Sequence, residues 1–446
     1  MDNDKGRRDF IRNISLAGSS ILLSPMLSSA NSFYKGSPND KVVLGFMGTN
    51  SRGSFLSKTF AGLPNVEVAY ICDVDSKVVE RSCNDIQKIT GKRPKGFTDI
   101  RKLLEVKDFD GLVIAAPDHW HTPAAIMALQ AGKNVYVEKP CSHNPREGEL
   151  LVEASKKYKG LVQMGSQRRT FKNVQQMINQ LHTGTIGRVY FARTWYTNNR
   201  TSIGKGTVVP VPATLDFDLW QGPAPRRDYK SNIVHYNWHW FWHWGTGESL
   251  NNGTHELDVA RWGLGVDYPV QVVSAGGRFH WQDDWETPDT QTITFKFPNN
   301  TAATWEGRSC NSYNSEGFGR GVTFYGDKGT IAYSGGNSYK VFDSTNKLVS
   351  EVKDSTPYDP TNKVSPTEVL DATHLLNFVE AIRGNEKINA PIAEGHKSTL
   401  LPQLGNIAYR VGRALNCDPL NGHILKDKQA MELWSRKYEK GWEVKV

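Results

Sequence analysis

Hydrophobic positions in the first part of the chain form short continuous runs separated by longer stretches with helical spacing. The runs of strand length are "KVVLGFMG", "VEVAYICDVD", "FDGLVIAAP", "NVYVEKP" and "LVQMGS". Continuously apolar, β-branched runs of this length are typical of strands buried on both faces. The stretch "HTPAAIMALQAGK" has helical spacing and a closing glycine. This alternation predicts an α/β domain over residues 40–166, with a doubly wound parallel sheet that binds its ligand at the carboxyl ends of its strands.

The pattern changes after residue 166. "IGRVYFARTWYT", "VQVVSAGGRFHW", "TQTITFKF", "TAATWEGRS" and "GVTFYGDKGTIAYS" alternate apolar and polar positions, with turn residues between the runs. Two helical stretches follow, "TEVLDATHLLNFVEAIRGN" and "GHKSTLLPQLGNIAYRVGRAL". We predict a second domain over residues 167–446, of the α+β class, with a large open, mostly antiparallel sheet and the C-terminal helices packed against it.

The first thirty residues resemble an export signal. Arg7-Arg8-Asp9-Phe10-Ile11 precedes a moderately apolar stretch, and Ser28-Ser29-Ala30 offers a small-residue cleavage site. These features predict a twin-arginine signal at 1–30, a linker at 31–39 and a periplasmic protein. The apolar stretch is too short to span a bilayer, so we expect no membrane anchor. A disordered basic tail is the alternative.

Charge and cysteine usage narrow the class of protein. The formal charge is +8, but lysine and arginine are scattered and no run of five like charges occurs, so we expect no nucleic-acid partner. The five cysteines lie far apart without a C-x-x-C pair, which predicts buried free thiols rather than a zinc ribbon or a disulfide framework.

A glycine turn follows the first strand in "GFMGTNSRG". The dinucleotide fingerprint G-x-G-x-x-G is incomplete, because Asn50 stands where the middle glycine is expected. Asparagine tolerates a left-handed backbone, so the turn can still form. Twenty residues beyond Gly53, Asp73 ends the second strand, where a carboxylate bonds a ribose 2'-hydroxyl and repels a 2'-phosphate. We predict a site for NAD rather than NADP, with Gly48, Asn50, Arg52, Gly53 and Asp73 as cofactor-binding residues.

Two later motifs carry a resemblance to a known family. Glu138-Lys139-Pro140 at the end of a strand, together with "GTGESLNNGTHELDVARW", "FYGDKGT" and "GHKSTLLPQLGNIAYRVG", resembles the glucose-fructose oxidoreductase, inositol dehydrogenase and rhizopine-catabolism (Gfo/Idh/MocA) family. The resemblance covers about residues 40–440. It implies a Rossmann domain, an open-faced α/β domain, a nicotinamide cofactor, a sugar or cyclitol substrate, and a homodimer or homotetramer formed through the second sheet.

The resemblance also implies catalytic residues. Lys139 matches the family's lysine, and His255 matches the histidine of G-G-x-x-x-D-x-G-x-H-x-x-D, while Asn251 stands where that pattern has aspartate. Because a carbinol loses hydride only as its hydroxyl loses a proton, the site needs a base and a cation. We expect His255 to accept the proton and contact the substrate, Lys139 to stabilise the alkoxide with Glu138 as its partner, and Asn251 to bond a substrate hydroxyl. Glu138 and Lys139 are also predicted to contact the cofactor.

Asn251 in place of the family's aspartate removes a negative charge from the predicted site. A neutral amide cannot support an imidazolium as a carboxylate does. Proton transfer then rests on His255 and Lys139, or on an acid elsewhere in the chain, and Asp258 could serve structurally.

Two loops are further candidates. Pro117 and His121, in "PDHWH" after the strand "GLVIAA", are expected over the cofactor, although Asp118 or His121 could instead cap the following helix. Arg168 and Arg169 lie at the domain junction. One of them could bond a substrate carboxylate or hydroxyl, and the alternative is that both are solvated at the surface. Arg168 is the predicted substrate residue.

The run "HYNWHWFWHW" concentrates aromatic rings. His235, His239 and His243 recur every fourth residue, which on a helix would invite zinc. Alternation and the following Gly-Thr-Gly favour an extended or irregular segment, so we expect no metal site. Trp240 and Trp244 are predicted to present flat faces to a sugar ring near His255, with core packing as the alternative.

These expectations combine into one function with two rivals. We predict an NAD-dependent oxidoreductase that transfers hydride to or from a hydroxyl of a sugar, glycoside or polyol. Because an exported enzyme meets no free nicotinamide, the NAD should be tightly bound. The first rival is an NAD-dependent glycoside hydrolase that works by transient oxidation and elimination, and the second is a non-catalytic sugar-binding protein.

Overall fold

The computed structural model describes residues 40–356, 364–365 and 367–446. The predicted export signal and linker lie outside these described residues. Within them, no helix is both long and apolar enough to cross a bilayer.

The first domain is built on the predicted parallel sheet. It has six strands in the order β3-β2-β1-β4-β5-β6, every pairing being parallel. The strands are β1 (Val42–Met47), β2 (Val66–Cys72), β3 (Lys95–Phe97), β4 (Gly111–Ile114), β5 (Asn134–Val137) and β6 (Val162–Met164). The helices are α1 (Arg52–Ala61), α2 (Ser76–Thr90), α3 (Ile100–Leu104), α4 (Asp118–Gln130) and α5 (Pro145–Tyr158). This order is that of a dinucleotide-binding Rossmann fold, with its crevice where β1 meets β4.

The second domain contains the predicted large sheet. Nine strands run in the order β14-β13-β12-β11-β7-β10-β9-β8-β15, antiparallel except for the β7–β10 pair. They are β7 (Val189–Thr197), β8 (Gln271–Gly277), β9 (Thr290–Lys296), β10 (Ala302–Arg308), β11 (Arg320–Gly326), β12 (Gly329–Tyr333), β13 (Tyr339–Asp343), β14 (Leu348–Val352) and β15 (Leu415–Asn416). The helices are α6 (Lys172–His182), α7 (Phe217–Gln221), α8 (Glu248–Asn251), α9 (Gly253–Leu264), α10 (Glu368–Ile382), α11 (Ile392–Val411) and α12 (Lys428–Met431).

One face of the large sheet is buried under helices. Ile293 and Phe295 of β9 point into a core with Leu257 of α9 and Leu404 of α11, whereas Thr292, Thr294 and Lys296 of β9 are exposed. The period of two in "TQTITFKF" therefore predicted both the strand and its buried face.

The prediction that both C-terminal helices pack against the second domain is wrong for α10. Leu375 and Phe378 of α10 are fully buried among Phe46 and Phe60 of the first domain. Helix α10 thus covers one face of the Rossmann sheet, although it follows β14 in the chain. Its apolar stripe has the same spacing whichever sheet it covers, so the pattern alone does not select the partner.

A long connection between β7 and α8, residues 198–245, lies against the end of the first domain, and we call it the cover segment. Backbone hydrogen bonds join the two, from Ser76 N to the carbonyl of Thr214 (2.9 Å) and from Asp216 N to the carbonyl of Val74 (2.9 Å). The cover segment has a small apolar core of its own, which includes Trp220. It forms a wall beside the carboxyl ends of the parallel strands.

Candidate functional site

A cleft of about 1080 Å³ lies between the carboxyl ends of the parallel strands, the cover segment and the second domain. Most of the predicted site residues line it: Gly48, Asn50, Arg52, Asp73, Pro117, His121, Glu138, Lys139, Arg168, Asn251 and His255. The fold brings these side chains together from both domains, across more than two hundred residues of sequence.

The glycine turn is shaped for close approach. Gly48 has φ +78°, and a Cβ there would lie 2.6 Å from the backbone nitrogen of Ala116. A Cβ at Gly53, behind the turn, would lie 1.8 Å from the carbonyl oxygen of Gly48, so α1 begins directly against the turn. These positions leave the backbone exposed to a phosphate group at a helix start, which is the fit that a dinucleotide requires.

Asn50 does not use its tolerance of a left-handed backbone. In this turn Gly48 has a positive φ, whereas the φ of Asn50 is not positive. The Asn50 side chain instead accepts a hydrogen bond from Nη2 of Arg81 (2.9 Å), which ties the turn to α2.

Gly48→Ala is expected to unfold at lower temperature and to retain less nucleotide, because the added methyl group collides with backbone. Overpacking costs about 1–3 kcal/mol, in addition to about 1–2 kcal/mol for the left-handed conformation. Gly91→Ala is the matched control, since Gly91 has φ +74° but open space around it. Thermal denaturation and nucleotide content per protein measure both effects. Equal losses in the two variants would contradict a crowded turn.

Asp73 lies where the cofactor ribose is expected. Its Oδ2 accepts from the backbone N–H of Thr49 (2.8 Å) and its Oδ1 from that of Asp75 (3.1 Å). Burial raises the pKa of Asp73, and these two hydrogen bonds oppose the rise. Asp73 is thus oriented by the turn itself, with oxygen lone pairs left for a ribose hydroxyl.

Arg52 and Glu138 form an ion pair at the start of α1. Nε of Arg52 donates to Oε1 of Glu138 (2.8 Å), and its Nη1 donates to Oδ2 of Asp371 on α10 (3.0 Å). Burial would raise the pKa of Glu138, but Arg52 and Lys139 lower it overall. Oε2 of Glu138 accepts a hydrogen bond from the backbone N–H of Lys139 (3.2 Å). The Lys139 ammonium, which we predicted to pair with Glu138, bonds a different residue. Asp371 was missed, because nothing in its surrounding sequence places α10 against the first domain.

Lys139 reaches across the cleft to the second domain. Its Nζ donates to the backbone carbonyl of Asn251 and to Asn251 Oδ1 (3.0 Å). Burial lowers the pKa of Lys139, although Glu138 and Asp118 oppose the change. The amide oxygen at 251 thus accepts from the ammonium, as a carboxylate at the same position could.

Glu248 supplies the acid that the sequence analysis did not place. It is 3% exposed, and it bonds Arg200 Nε (2.5 Å), Asn252 Nδ2 (2.5 Å) and Asn251 Nδ2 (3.3 Å). Burial would raise its pKa, but Arg200 lowers it overall. By accepting from Nδ2, Glu248 turns Oδ1 of Asn251 toward Lys139. Its position three residues before Asn251, in "ESLN", was the available signal, since residues at this spacing meet on a helix.

His255 lies on the first turn of α9, half-buried beside Lys139 and Asn251 in the cleft wall. Within the described residues its imidazole makes no hydrogen bond. Burial, followed by the positive charges of Arg168, Lys139 and Arg320, lowers the pKa of His255 well below its usual value. The imidazole is therefore neutral at pH 7 and able to accept a proton.

Glu248→Gln is expected to move the alkaline limb of the kcat/KM profile to lower pH. Glu248 raises the pKa of Lys139, so removal of its charge lets the ammonium deprotonate at lower pH. The acid limb should stay in place. Glu306→Gln, which changes a carboxylate paired with Arg308 on the sheet, is the control. A uniformly lower rate with unchanged limbs would show that Glu248 acts only on folding.

Arg168 and Arg169, adjacent in sequence, have different surroundings. Arg168 lines the cleft and its Nε donates to the carbonyl of Gly335 (3.1 Å). Arg169 is buried in a bidentate pair with Asp258 (2.8 and 2.9 Å). Asp258 therefore has a structural role, as we expected.

The loop after β4 is anchored by side chains. His121 lies between two carbonyl oxygens, those of Pro140 (Nδ1, 2.6 Å) and Ala116 (Nε2, 2.7 Å). Asp118 accepts from Thr246 Oγ1 (2.5 Å) and does not cap α4. Pro117 immediately precedes α4 in the cleft wall.

The two tryptophans predicted to meet the substrate lie in the core. Trp240 and Trp244 are each 1% exposed. Trp240 stacks on Trp285 with ring centroids 4.0 Å apart, and Trp244 packs in the core of the cover segment. Trp238 is also buried in this core, at 8% exposed, but its edge lines the cleft, where it stacks on His239 with ring centroids 3.6 Å apart. Residues 237–240 form a 3₁₀ turn, so alternate residues of this run do not lie on opposite faces as they would in a strand.

The three evenly spaced histidines have separate partners. His235 bonds Asp75 (3.1 Å), His239 bonds the carbonyl of Tyr236 (2.6 Å) and His243 bonds that of Pro225 (2.7 Å). In the described ranges, histidine, cysteine and acidic side chains form no group of three suited to a metal. All five cysteines are buried and free, as predicted.

A Rossmann sheet with a glycine turn, joined to an open-faced sheet domain that completes the same cleft, defines a two-domain dinucleotide-binding protein. Comparison with known families agrees. Residues 42–166 match the family described as "Oxidoreductase family, NAD-binding Rossmann fold", and residues 172–444 match "Oxidoreductase family, C-terminal alpha/beta domain". The chain belongs to the Gfo/Idh/MocA oxidoreductases, and the nucleotide of its first domain is NAD.

Curated relatives match part of the chain. A glycosyl hydrolase family 109 protein of Shewanella pealeana is 28% identical over 207 residues, 43% of this chain and 45% of the relative. An alpha-N-acetylgalactosaminidase of Shewanella oneidensis is 27% identical over 190 residues, 41% of each chain. The matched part spans less than half the length of these relatives.

Solved structures share the fold over most of the chain. The WlbA dehydrogenase of Bordetella pertussis, solved with NADH and UDP-GlcNAcA, has a TM-score of 0.63 at 19% identity and covers 85% of this chain and 99% of its own. A levoglucosan dehydrogenase, solved with NADH and levoglucosan, has a TM-score of 0.65 at 16% identity and covers 84% and 99%. Both combine a Rossmann domain with a similar second domain.

Proposed function

We propose that this protein transfers hydride between bound NAD and a hydroxyl-bearing carbon of a sugar, glycoside or polyol. One observation carries the proposal: Lys139 from the end of β5 and His255 from α9 line one cleft beside the glycine turn, with Asn251 bonded to Lys139. A cation and a neutral base beside a dinucleotide turn are the groups that oxidation of a carbinol requires.

Each group has one task in this reaction. The glycine turn and Asp73 would hold NAD, which would supply the hydride acceptor. His255 takes the hydroxyl proton at its free ring nitrogen, and Lys139 stabilises the developing alkoxide by its charge. Glu248 and Asn251 hold the ammonium in place. In the reverse direction His255 returns the proton to the carbonyl oxygen.

The proposed substrate class is supported by the cleft and by the neighbours. His239, half-buried and stacked on the buried Trp238, lines the cleft, and a flat ring suits the C–H faces of a sugar ring. The two structural neighbours above were solved with a nucleotide sugar and with levoglucosan.

The proposal is tested by denaturing the purified protein and identifying the released nucleotide by mass, then following absorbance at 340 nm while free sugars and methyl glycosides are added. We expect NAD and a sugar-dependent rise in absorbance. Release of NADP, or of no nucleotide together with no effect of added NAD, would contradict it. Sugar binding without any redox change would favour a binding protein.

The names of the curated relatives favour a second candidate. A glycosyl hydrolase and an alpha-N-acetylgalactosaminidase suggest net glycoside hydrolysis by transient oxidation. Oxidation of a sugar carbon acidifies the neighbouring C–H, so loss of that proton expels the aglycone. Addition of water and return of the hydride then leave no net redox change. Release of nitrophenol from nitrophenyl glycosides without NADH accumulation would favour this reaction over simple dehydrogenation.

We further propose that the protein is exported with its NAD bound. The cover segment lines the cleft with Leu219 and Trp220 and is bonded to the first domain, which favours slow release of NAD.

We expect residues 1–30 to direct a fused reporter to the periplasm only when Arg7 and Arg8 are both present. Light scattering should give the mass of a dimer or a tetramer.

A further inference from the structure

The cover segment lies over the end of the cleft where the adenosine half of NAD is expected. Its backbone bonds Val74 and Ser76, as described above, and its His235 bonds Asp75 (3.1 Å). These three residues directly follow Asp73, the residue placed for the cofactor ribose. The cover segment therefore encloses this end of the cleft, which we call the adenosine end.

The start of α4 holds the cover segment in this position. The carbonyl of Trp220 in α7 accepts hydrogen bonds from Nε1 of Trp120 and from Nε2 of His119 (2.9 Å each). Trp120 and Trp220 are 3% and 4% exposed, and both contribute to the cleft wall. The wall at the adenosine end thus depends on where α4 places His119 and Trp120.

Residues 435–446, which we call the latch segment, fix the same two residues of α4. Nη2 of Arg436 donates to the carbonyl of His119 (2.7 Å), while its Nε donates to Glu147 of α5 (2.8 Å). The ring of Trp442 packs edge-on against that of Trp120, with centroids 5.1 Å apart. Trp442 is thus a positioning residue that acts on the cleft wall through Trp120.

The latch segment also bonds the cover segment directly. The backbone N–H of Glu439 donates to the carbonyl of Pro223 (3.0 Å), and Oε2 of Glu439 accepts from the backbone N–H of Arg226 (3.1 Å). Trp442 is half-buried, with the guanidinium carbon of Arg101 on α3 at 5.0 Å from its ring centroid. One surface segment therefore joins three helices of the first domain to the cover segment.

We propose that the latch segment holds the cover segment closed over the adenosine half of NAD, so that the cofactor leaves only when the latch segment detaches. This inference rests on the retention of NAD proposed above, and not on hydride transfer. A ligand enclosed by a closed segment dissociates no faster than the segment opens. Loss of a contact made only in the closed form raises the population of the open form.

The test measures exchange of bound NAD for isotopically labelled NAD in the holoenzyme, by the mass of the nucleotide released on denaturation. The unmodified protein should exchange slowly. Trp442→Ala and Glu439→Ala should each exchange about 5- to 30-fold faster, as expected for loss of an aromatic contact or of a hydrogen bond. Trp442→Phe should keep most of the slow exchange, because a smaller ring still packs on Trp120.

The matched control is Trp262→Ala. Trp262 is also half-buried, and the guanidinium carbon of Arg169 lies 5.0 Å from its ring centroid, but it packs against the core of the second domain. This variant should unfold at lower temperature without faster exchange of NAD.

A second readout follows the cover segment itself. Amide hydrogen exchange of peptides that contain Asp216, whose N–H bonds the carbonyl of Val74, should become faster in Trp442→Ala and stay unchanged in Trp262→Ala. A role of Trp442 in overall stability alone would not produce this difference between the two variants.

The outcomes separate the latch from the retention of NAD and from the chemistry. Slow exchange in both Trp442→Ala and Glu439→Ala would overturn the latch and leave retention in place, whereas rapid exchange in the unmodified protein would overturn both. Equally fast exchange in Trp262→Ala, or faster exchange with unchanged protection of the cover segment, would also overturn the latch. Hydride transfer plays no part in these measurements, so its failure would be seen separately at 340 nm.

Discussion

Lys139→Met is expected to lower kcat for sugar oxidation by about 10²- to 10³-fold, the usual loss when a preorganised donor to a developing oxyanion is removed. The Lys139 ammonium is half-buried and held by both oxygens of Asn251, and a neutral water in its place would not supply its charge. Steady-state absorbance at 340 nm, normalised to bound nucleotide, measures the change.

The matched control is Lys133→Met. Lys133 is a buried lysine, and its Nζ donates to the carbonyls of Lys107 and Phe109 (2.7 Å each), away from the cleft. This variant should unfold at lower temperature but keep its kcat per bound nucleotide. If Lys139→Met keeps its kcat as well, the ammonium has no part in the chemistry.

His255→Asn is expected to lower kcat/KM by about 10²- to 10⁴-fold, the range for loss of a positioned general base. The sign of its pH dependence follows from its surroundings. Because burial and nearby cations lower the pKa of His255 well below 6.5, the unmodified enzyme should lose activity only at pH values well below 6.5. His255→Asn should lack this acid limb.

The control for His255 is His243→Asn, since His243 is half-buried and bonds the carbonyl of Pro225 in the cover segment. We expect this variant to keep both the rate and the acid limb. An acid limb that persists unchanged in His255→Asn would assign proton transfer to another group.

Several elements followed from local pattern because local physics decides them. The continuous apolar run of β1 and the period of two in β9 each match their burial in the structure. The glycine turn was recognisable because the positive φ of Gly48 and the contact at Gly53 admit no side chain. Lys139 and His255 came from motif context, and the fold places both in one cleft.

The misplaced residues share a different cause. Trp240 and Trp244 were assigned to the cleft from alternation, but the chain makes a 3₁₀ turn at residues 237–240 and both rings are buried. Glu248 was overlooked because its ion-pair partner, Arg200, meets it only after the cover segment folds back, although its helical spacing from Asn251 was a local signal.

The sequence by itself determined the two kinds of sheet, the nucleotide turn and the family, because each depends on spacing within a few residues. Only the tertiary structure decided that α10 covers the Rossmann sheet, that Asp371 pairs with Arg52, and that Arg168 and Arg320 share Glu256. The physical reason is that an apolar stripe or a charged side chain has the same local signature whatever its partner. The partner is selected by which surfaces the whole chain can bury together.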